Sequence, residues 1–276
     1  GIPACIIVID KEDAQARIPA LAGGTGEGIF MIDASRGFMK DGPKNRLRAQ
    51  DIHKMVDVFM QRQEVEKYAR MVSFGEIEGN EFNLNLPRYI DSQEAEDLQD
   101  IGGHLQGGIP VVDVGALEMF WERFPSLRSS LFRLLRPGYV GLSVPASEIK
   151  ERIYAHPEFR SFMDEMEAHF GAWRDDVAAS LRGLEAGFQP KGLVASLSEG
   201  LLNHYSGKGL VDAYAIYQHL MDYVDETMQD DLYLIAADGW QAETYRVIEK
   251  DKKGKEKDKG WRCDLLPKPF LVRAYF

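Results

Sequence analysis

The sequence predicts an α/β chain in three parts: a small sheet at the start, a mainly helical middle and a small α+β end. Three observations carry this. An Ile- and Val-rich run at residues 3–10 and a short apolar run at Ile29–Ile32 have strand length and lack helical spacing. Apolar positions recur at three- and four-residue steps through the middle, where Pro110, Pro125, Pro137, Pro145 and Pro157 set off short helices. Aromatic and β-branched residues return near the end, at Tyr245–Ile248 and from Trp261 onward.

The run at 3–10 has no polar alternation, which is the pattern of a strand covered on both faces. A chain that opens in mid-core reads as the later part of a domain. Residues 11–27 are polar and then Gly-rich, and Ile29–Ile32 is the second strand. Leu47, Ile52, Met55, Val56 and Phe59 predict a helix between Arg46 and Tyr68, with Asp51 early in it, where a carboxylate suits the helix dipole. Residues 73–90 read as a helical turn, a break and an alternating strand with Phe82, Leu84 and Leu86 on one side.

After Asp91 the chain turns acidic and helical, around Phe120-Trp121, Leu127–Leu135 and Phe159–Trp173. A stronger helix is predicted over Val211–Met228, with Tyr214, Tyr217, Leu220, Met221, Val224 and Met228 as a core stripe. Leu232–Ala236 and Tyr245–Ile248 are then expected as strands. Lys250–Gly260, with six Lys against three acids, is expected as an exposed loop, either solvated or on a DNA backbone. Residues 1–92, 93–230 and 231–276 make the three parts.

The net charge of −11 argues against a surface that coats nucleic acid throughout. The charge is uneven, however. Residues 36–70 hold nine Lys and Arg against five Asp and Glu, a local +4, which suits a confined polyanion contact or a solvated face. No run approaches the roughly 18 apolar residues of a membrane span. Cys5 and Cys263 have no CxxC spacing, so neither a disulfide framework nor a structural zinc site is expected. Cys5, inside the first strand, reads as a buried free thiol, in keeping with a reducing cytoplasm.

Chemical motifs are sparse. Gly24-Thr-Gly26-Glu-Gly28 has the glycines of a phosphate loop, but a strand follows where a helix N-terminus is needed. No Gly-x-Ser-x-Gly elbow occurs, and His53, His204 and His219 have no second His or Cys at ligand spacing. What remains is Phe38-Met-Lys-Asp-Gly-Pro-Lys-Asn-Arg-Leu-Arg48. Lys44, Arg46 and Arg48 suit phosphates, Asn45 a base edge, and Phe38 the face of an unpaired base.

Ile2-Pro-Ala-Cys-Ile-Ile-Val-Ile-Asp10, Gly28-Ile-Phe-Met-Ile-Asp-Ala-Ser35, Lys44-Asn-Arg-Leu-Arg48 with Asp51-Ile-His-Lys54, and Asn83-Leu-Asn-Leu-Pro-Arg-Tyr89 resemble, in order and spacing, the downstream part of modification subunits of type I restriction–modification systems. Tyr217–Tyr223, Thr227–Asp231, Ile235–Trp240 and Lys257–Trp261 are similar to the long branch of that family, and residues 100–205 match more loosely. The resemblance implies late strands of an S-adenosyl-L-methionine (AdoMet) methyltransferase sheet of Rossmann-like type, with Ile18–Glu27 an insertion between the opening strands. It also implies an adenine-N6 DNA methyltransferase that works with a specificity subunit and, for cleavage, a restriction subunit. The family's cofactor glycines and Asn/Asp-Pro-Pro-aromatic loop would precede Gly1, and none of the twelve prolines here adjoins another. No catalytic or cofactor-binding residue is therefore assigned, and the chain alone is expected to be inactive. Phe38, Lys44, Asn45, Arg46 and Arg48 remain the candidates for DNA contact. The alternative is a non-catalytic module that docks a specificity subunit or DNA.

Overall fold

The computed structural model describes residues 5–9, 28–92, 99–250 and 256–265. The chain divides into two compact units, Gly1–Asp97 and Leu98–Phe276. In the first unit β1 (Gly28–Ile32) leads to a hairpin of β2 (Met39–Asp41) and β3 (Lys44–Arg46). Helix α1 (Ala49–Gln61), strand β4 (Ala69–Ser73) and helix α2 (Phe74–Gly79) follow. Strand β1 pairs antiparallel with β4, Gly28 opposite Ser73 and Ile32 opposite Ala69. Gly28 is required there, since a Cβ would lie 1.9 Å from the Val72 carbonyl oxygen. Met31, Val72, Ile77, Tyr89 and Ile90 form the core of this unit.

Three expectations for this unit change. Residues 5–9 form no strand, and Ile6, Ile7, Val8 and Ile9 are exposed, as is Cys5. A Val/Ile run encodes a preference for cover on both faces but not what supplies it, and no described strand pairs with this one. The parallel, Rossmann-like sheet is likewise not among the described pairings, which are all antiparallel and join two or three strands. The fold class seen is mixed α/β with small sheets. Finally, residues 82–86 are not a strand. Glu81 and Phe82 both adopt left-handed φ, at 57° and 56°, and Phe82 N–H closes on the Ile77 carbonyl at 2.9 Å. That turn leaves Phe82 and Leu84 in solvent and breaks the two-residue period.

The second unit is mainly helical. Helix α3 (Ile101–Gln106), strand β5 (Ile109–Pro110), helices α4 (Val111–Gly115), α5 (Glu118–Arg123) and α6 (Pro125–Leu131), and strands β6 (Phe132–Arg136) and β7 (Tyr139–Leu142) come first. The strands pair antiparallel in the order β5-β7-β6. Helices α7 (Ile149–Ala155) and α8 (Pro157–Arg182) pack Ile149, Ile153, Phe159 and Phe162 on Phe124, Leu127 and Leu131. The Glu158 carboxylate accepts from the Ser126 and Leu127 N–H groups at 3.1 Å, capping α6 from the start of α8.

Helices α9 (Pro190–Tyr205) and α10 (Ala213–Tyr223), a π-helical turn at Val224–Met228 and α11 (Gln229–Asp238) complete the helical part. Leu232–Ala236, expected as a strand, lies inside α11. Leu232 and Ile235 are buried three residues apart, Tyr233 points outward, Asp230 and Asp231 occupy the first turn, and Gly239 ends the helix at φ 73°. The helical period thus outweighs the strand-like composition. The expected stripe holds, with Tyr217 on α10 and Val224 in the π-helical turn buried.

The last pair is β8 (Thr244–Lys250) with β9 (Glu256–Cys263). The Lys-rich stretch is therefore partly strand, residues 251–255 lie outside the described residues, and two of its lysines are answered across the hairpin. Lys250 lies 3.7 Å from Glu256 and Lys259 3.0 Å from Glu249, while Arg246 pairs with Asp258. Among the described residues no helix is long and apolar enough to cross a membrane, and no group of three or more His, Cys, Asp or Glu is placed to hold a metal ion.

Candidate nucleic-acid interface

The basic segment folds as a tight antiparallel hairpin. Met39 faces Arg46, Lys40 faces Asn45, and Asp41 faces Lys44. Gly42 at φ 58° and Pro43 form the two-residue loop, as a type II′ turn with glycine first demands. Alternation then sorts the candidates onto two faces. On one, Lys40 Nζ donates to Asn45 Oδ1 at 2.7 Å and sits 5.2 Å from the centre of the Phe38 ring. On the other, Arg46 lies 4.0 Å from Asp41 Oδ2 and donates to Met39 Sδ at 3.5 Å, with Lys44 beside it. Lys40, Lys44, Asn45 and Arg46 are all exposed and Phe38 is half-buried.

Arg48 is placed differently. Its Nε and Nη2 donate to Asp51 Oδ2 and Oδ1 at 2.9 Å each, and its backbone N–H also donates to Oδ2 at 2.9 Å. Arg48 is the N-cap residue of α1, so the buried Asp51 carboxylate reaches back from the third helical position as in a capping box. Burial pushes the Asp51 carboxyl up, but the Arg48 hydrogen bonds and the charges of Arg48 and Lys54 hold it below the ordinary carboxylate range. The same carboxylate supports the entry to the hairpin, because a Cβ on Gly37 would lie 3.1 Å from Asp51 Oδ1. The structure thus brings Phe38, Lys44, Asn45 and Arg46 together on the hairpin and puts Arg48 at its foot, spent on Asp51.

Two further residues build this foot. Asp33, directly after β1, is buried and accepts from the Ser35 N–H at 3.0 Å, while its own N–H donates to the Tyr68 carbonyl at 2.8 Å. Burial raises its carboxyl, but hydrogen bonds from Ser92 and Ser35 and the charge of Arg36 outweigh that and lower it. The Tyr68 hydroxyl is pushed up to about 12 by burial and by the Asp51 and Asp33 charges, and Lys54 Nζ stands 4.5 Å over the Tyr68 ring. Asp33-Ala-Ser35 is a readable Asx-turn signal at a strand end. Nothing local in the sequence marks Tyr68.

The hairpin can therefore offer three cations, one amide and one aromatic ring from a foot whose own charges are internally paired. It holds no nucleophile and no general base aimed at a substrate. AdoMet has no fit here. Gly24 and Gly26 lie outside the described residues, and Gly28 is packed against the β4 backbone and leads into a strand.

Comparison with known proteins agrees with the resemblance read from the residues. The model of the N-6 DNA methylase family matches residues 1–98. The chain is 32% identical over 73 residues to the methylase subunit of the type I restriction enzyme MpnII of Mycoplasma pneumoniae, covering 26% of this chain and 13% of that protein. It is 31% identical over 100 residues to the type I restriction enzyme MjaVII methylase subunit of Methanocaldococcus jannaschii, covering 35% and 16%. The matches thus span less than a fifth of either relative's length. No solved structure matches.

Proposed function

We propose, from the premise that residues 1–98 are related to the N-6 DNA methylases, that they contribute to the modification subunit of a type I restriction–modification system. The complete protein would transfer a methyl group from AdoMet to N6 of adenine in DNA, alongside a specificity subunit and, for cleavage, a restriction subunit. In this reading the first unit supplies DNA contacts and not the reacting atoms. The observation that carries it is the hairpin, where exposed Lys40, Lys44 and Arg46 stand on a foot with Arg48 neutralised by Asp51. Exposed cations such as these can exchange their surface contacts, Lys40 with Asn45 and Arg46 with Asp41, for a phosphate backbone and release its counterions.

The test is made in the complete modification complex. Replacing Lys44 and Arg46 by alanine is expected to weaken DNA binding and flatten its salt dependence. Unchanged salt slopes would remove the hairpin from the interface. The 276-residue chain by itself is expected to give no AdoMet binding by calorimetry at micromolar concentration and no methylation. A micromolar isotherm would overturn that part of the reading.

A second reading, an assembly module without catalysis, has its own observation. Ile52, Val56, Phe59 and Met60 recur at helical spacing on α1 and are all exposed, between 42% and 73%. Such a stripe suits a protein partner better than water. Val56→Glu that abolishes association with a specificity subunit while leaving the salt slope of DNA binding unchanged would favour this reading.

A further inference from the structure

The second unit contains a cavity of about 880 Å³ between α8, α9, α10, the π-helical turn and α11, with Leu265 at its edge. Its lining is mostly apolar and rich in rings, with Phe170, Trp173, Tyr205, Tyr223 and Trp240 all contributing. A cavity of this size exceeds the gaps of a close-packed core and falls in the range of small-molecule sites between helices. The π-helical turn lines it through Thr227 and Met228, and such turns inside α-helices are frequent at functional sites.

Three polar side chains on the lining are already used. Trp240 Nε1 donates to the Leu181 carbonyl at 3.1 Å, and Thr227 Oγ1 to the Tyr223 carbonyl at 2.5 Å. Arg174 gives both Nε and Nη2 to Asp175. His219 is exposed. Asp231 differs. It is half-buried at the cavity wall, burial and the neighbouring Asp230 charge both push its carboxyl up, and among the described residues no donor or cation offsets them. A carboxylate in that setting is answered best by a positive charge brought in by the occupant, and the surrounding rings attract the same sign through their faces.

We infer that this cavity binds a small hydrophobic amine, its apolar body among the rings and its ammonium group against Asp231. The site is independent of the hairpin and of the DNA-contact reading. The chemistry is association only, with no bond made or broken.

The test titrates the full chain with dansylcadaverine, a fluorescent apolar body ending in a primary amine, and with its N-acetylated, uncharged analogue. Energy transfer from the tryptophans to dansyl reports the bound probe. The amine is expected to bind about tenfold tighter than the acetylated probe. In Asp231→Asn that preference should disappear while the acetylated probe still binds, with circular dichroism showing the helices intact. Met228→Trp, which fills the cavity from the π-helical turn, should weaken both probes. Equal affinity for the two probes in the unaltered chain would overturn the role of Asp231 whether or not Asp231→Asn folds. Binding of neither probe would overturn the site. Probe release on raising the protein concentration would assign the cavity to a second copy of the chain and overturn the small-ligand reading.

Discussion

Arg48 and Asp51 are joined by two parallel 2.9 Å hydrogen bonds, and the Arg48 backbone N–H adds a third to the same carboxylate. The Asp51 side chain is 7% exposed and that of Arg48 33%. One residue pair therefore caps α1, fixes the descent from β3 and faces the Gly37 backbone. Removing either partner strands the other, so Asp51→Ala and Arg48→Ala are each expected to cost about 1–3 kcal/mol. Urea denaturation followed by circular dichroism measures this. A loss under about 0.5 kcal/mol, the level of an ordinary surface change, would show that the pair does not anchor the hairpin.

Asp51 and its neighbour Asp33 set a pH dependence. Asp33 and Asp51 both have carboxyls held below the ordinary carboxylate value of about 3.8 in the folded chain. As acid is added, the unfolded chain takes up these protons first, so between the ordinary and the lowered values it binds more protons than the native state. Their stabilisation is complete above the ordinary value and is lost as pH falls through the folded values. Unfolding free energy should therefore drop steeply below about pH 4, and Asp51→Asn and Asp33→Asn should each flatten that limb. An unchanged acid limb in both variants would contradict the assignment.

Tyr68 works at the opposite end. Burial, then the Asp51 and Asp33 charges, raise its hydroxyl to about 12 from 10.0. The stability that accompanies a neutral Tyr68 is fully present below the unfolded value and is lost as pH rises from about 10 towards about 12. Tyr68→Phe should remove this alkaline loss. Ultraviolet titration of the phenols should show a late component that loses one phenol in the variant.

How much of this was legible varies by residue. The helix of α1 follows from the spacing of Ile52, Met55, Val56 and Phe59, yet these residues face outward more than the periodicity suggests, and Val58 is the buried one. Asp51 reads from sequence as a dipole partner. Its use as a buried, bidentate anchor depends on Arg48 curling back, a three-residue geometry that composition does not encode. Arg48 for that reason looks like a phosphate ligand when read alone. Ile6–Ile9 and Leu232–Ala236 mislead in the same way. Both carry strand-like composition, and what decides them is long-range cover in the first case and acidic first-turn residues with a glycine stop in the second. The hairpin at Gly42-Pro43 has local turn chemistry, but its basic and amide residues read as an unstructured loop until paired.

His169 and His204 offer a measurable link between α8 and α9. Their rings stack with centroids 3.7 Å apart and 10° between planes, and each Nε2 lies 2.8 Å from the other residue's backbone carbonyl. A carbonyl only accepts, so both rings carry the proton on Nε2. Each ring thus stacks on the other, while its hydrogen bond goes to a backbone carbonyl that an alanine at the other position would keep. A double-mutant cycle of His169→Ala and His204→Ala should show coupling of about 1 kcal/mol or more, whereas independent surface residues would add within about 0.5 kcal/mol. Additive single effects would reduce the pair to incidental packing.

The two faces of the hairpin should separate in binding experiments. Lys44 and Arg46 share one face with no ring, so their alanine variants remove phosphate-binding charge without removing an aromatic contact. Each is expected to lower the slope of log K against log salt by about 0.9 on duplex DNA. Phe38 shares the opposite face with Lys40 and Asn45, and an aromatic ring gains from an unstacked base. Phe38→Ala should leave the salt slope intact and weaken binding to a duplex with one unpaired adenine by about 1 kcal/mol or more relative to a perfect duplex. The measurement is fluorescence anisotropy of the modification complex on the two DNAs across a salt series. If Phe38→Ala weakens both DNAs equally, the ring serves the fold of the hairpin and not the recognition of a base.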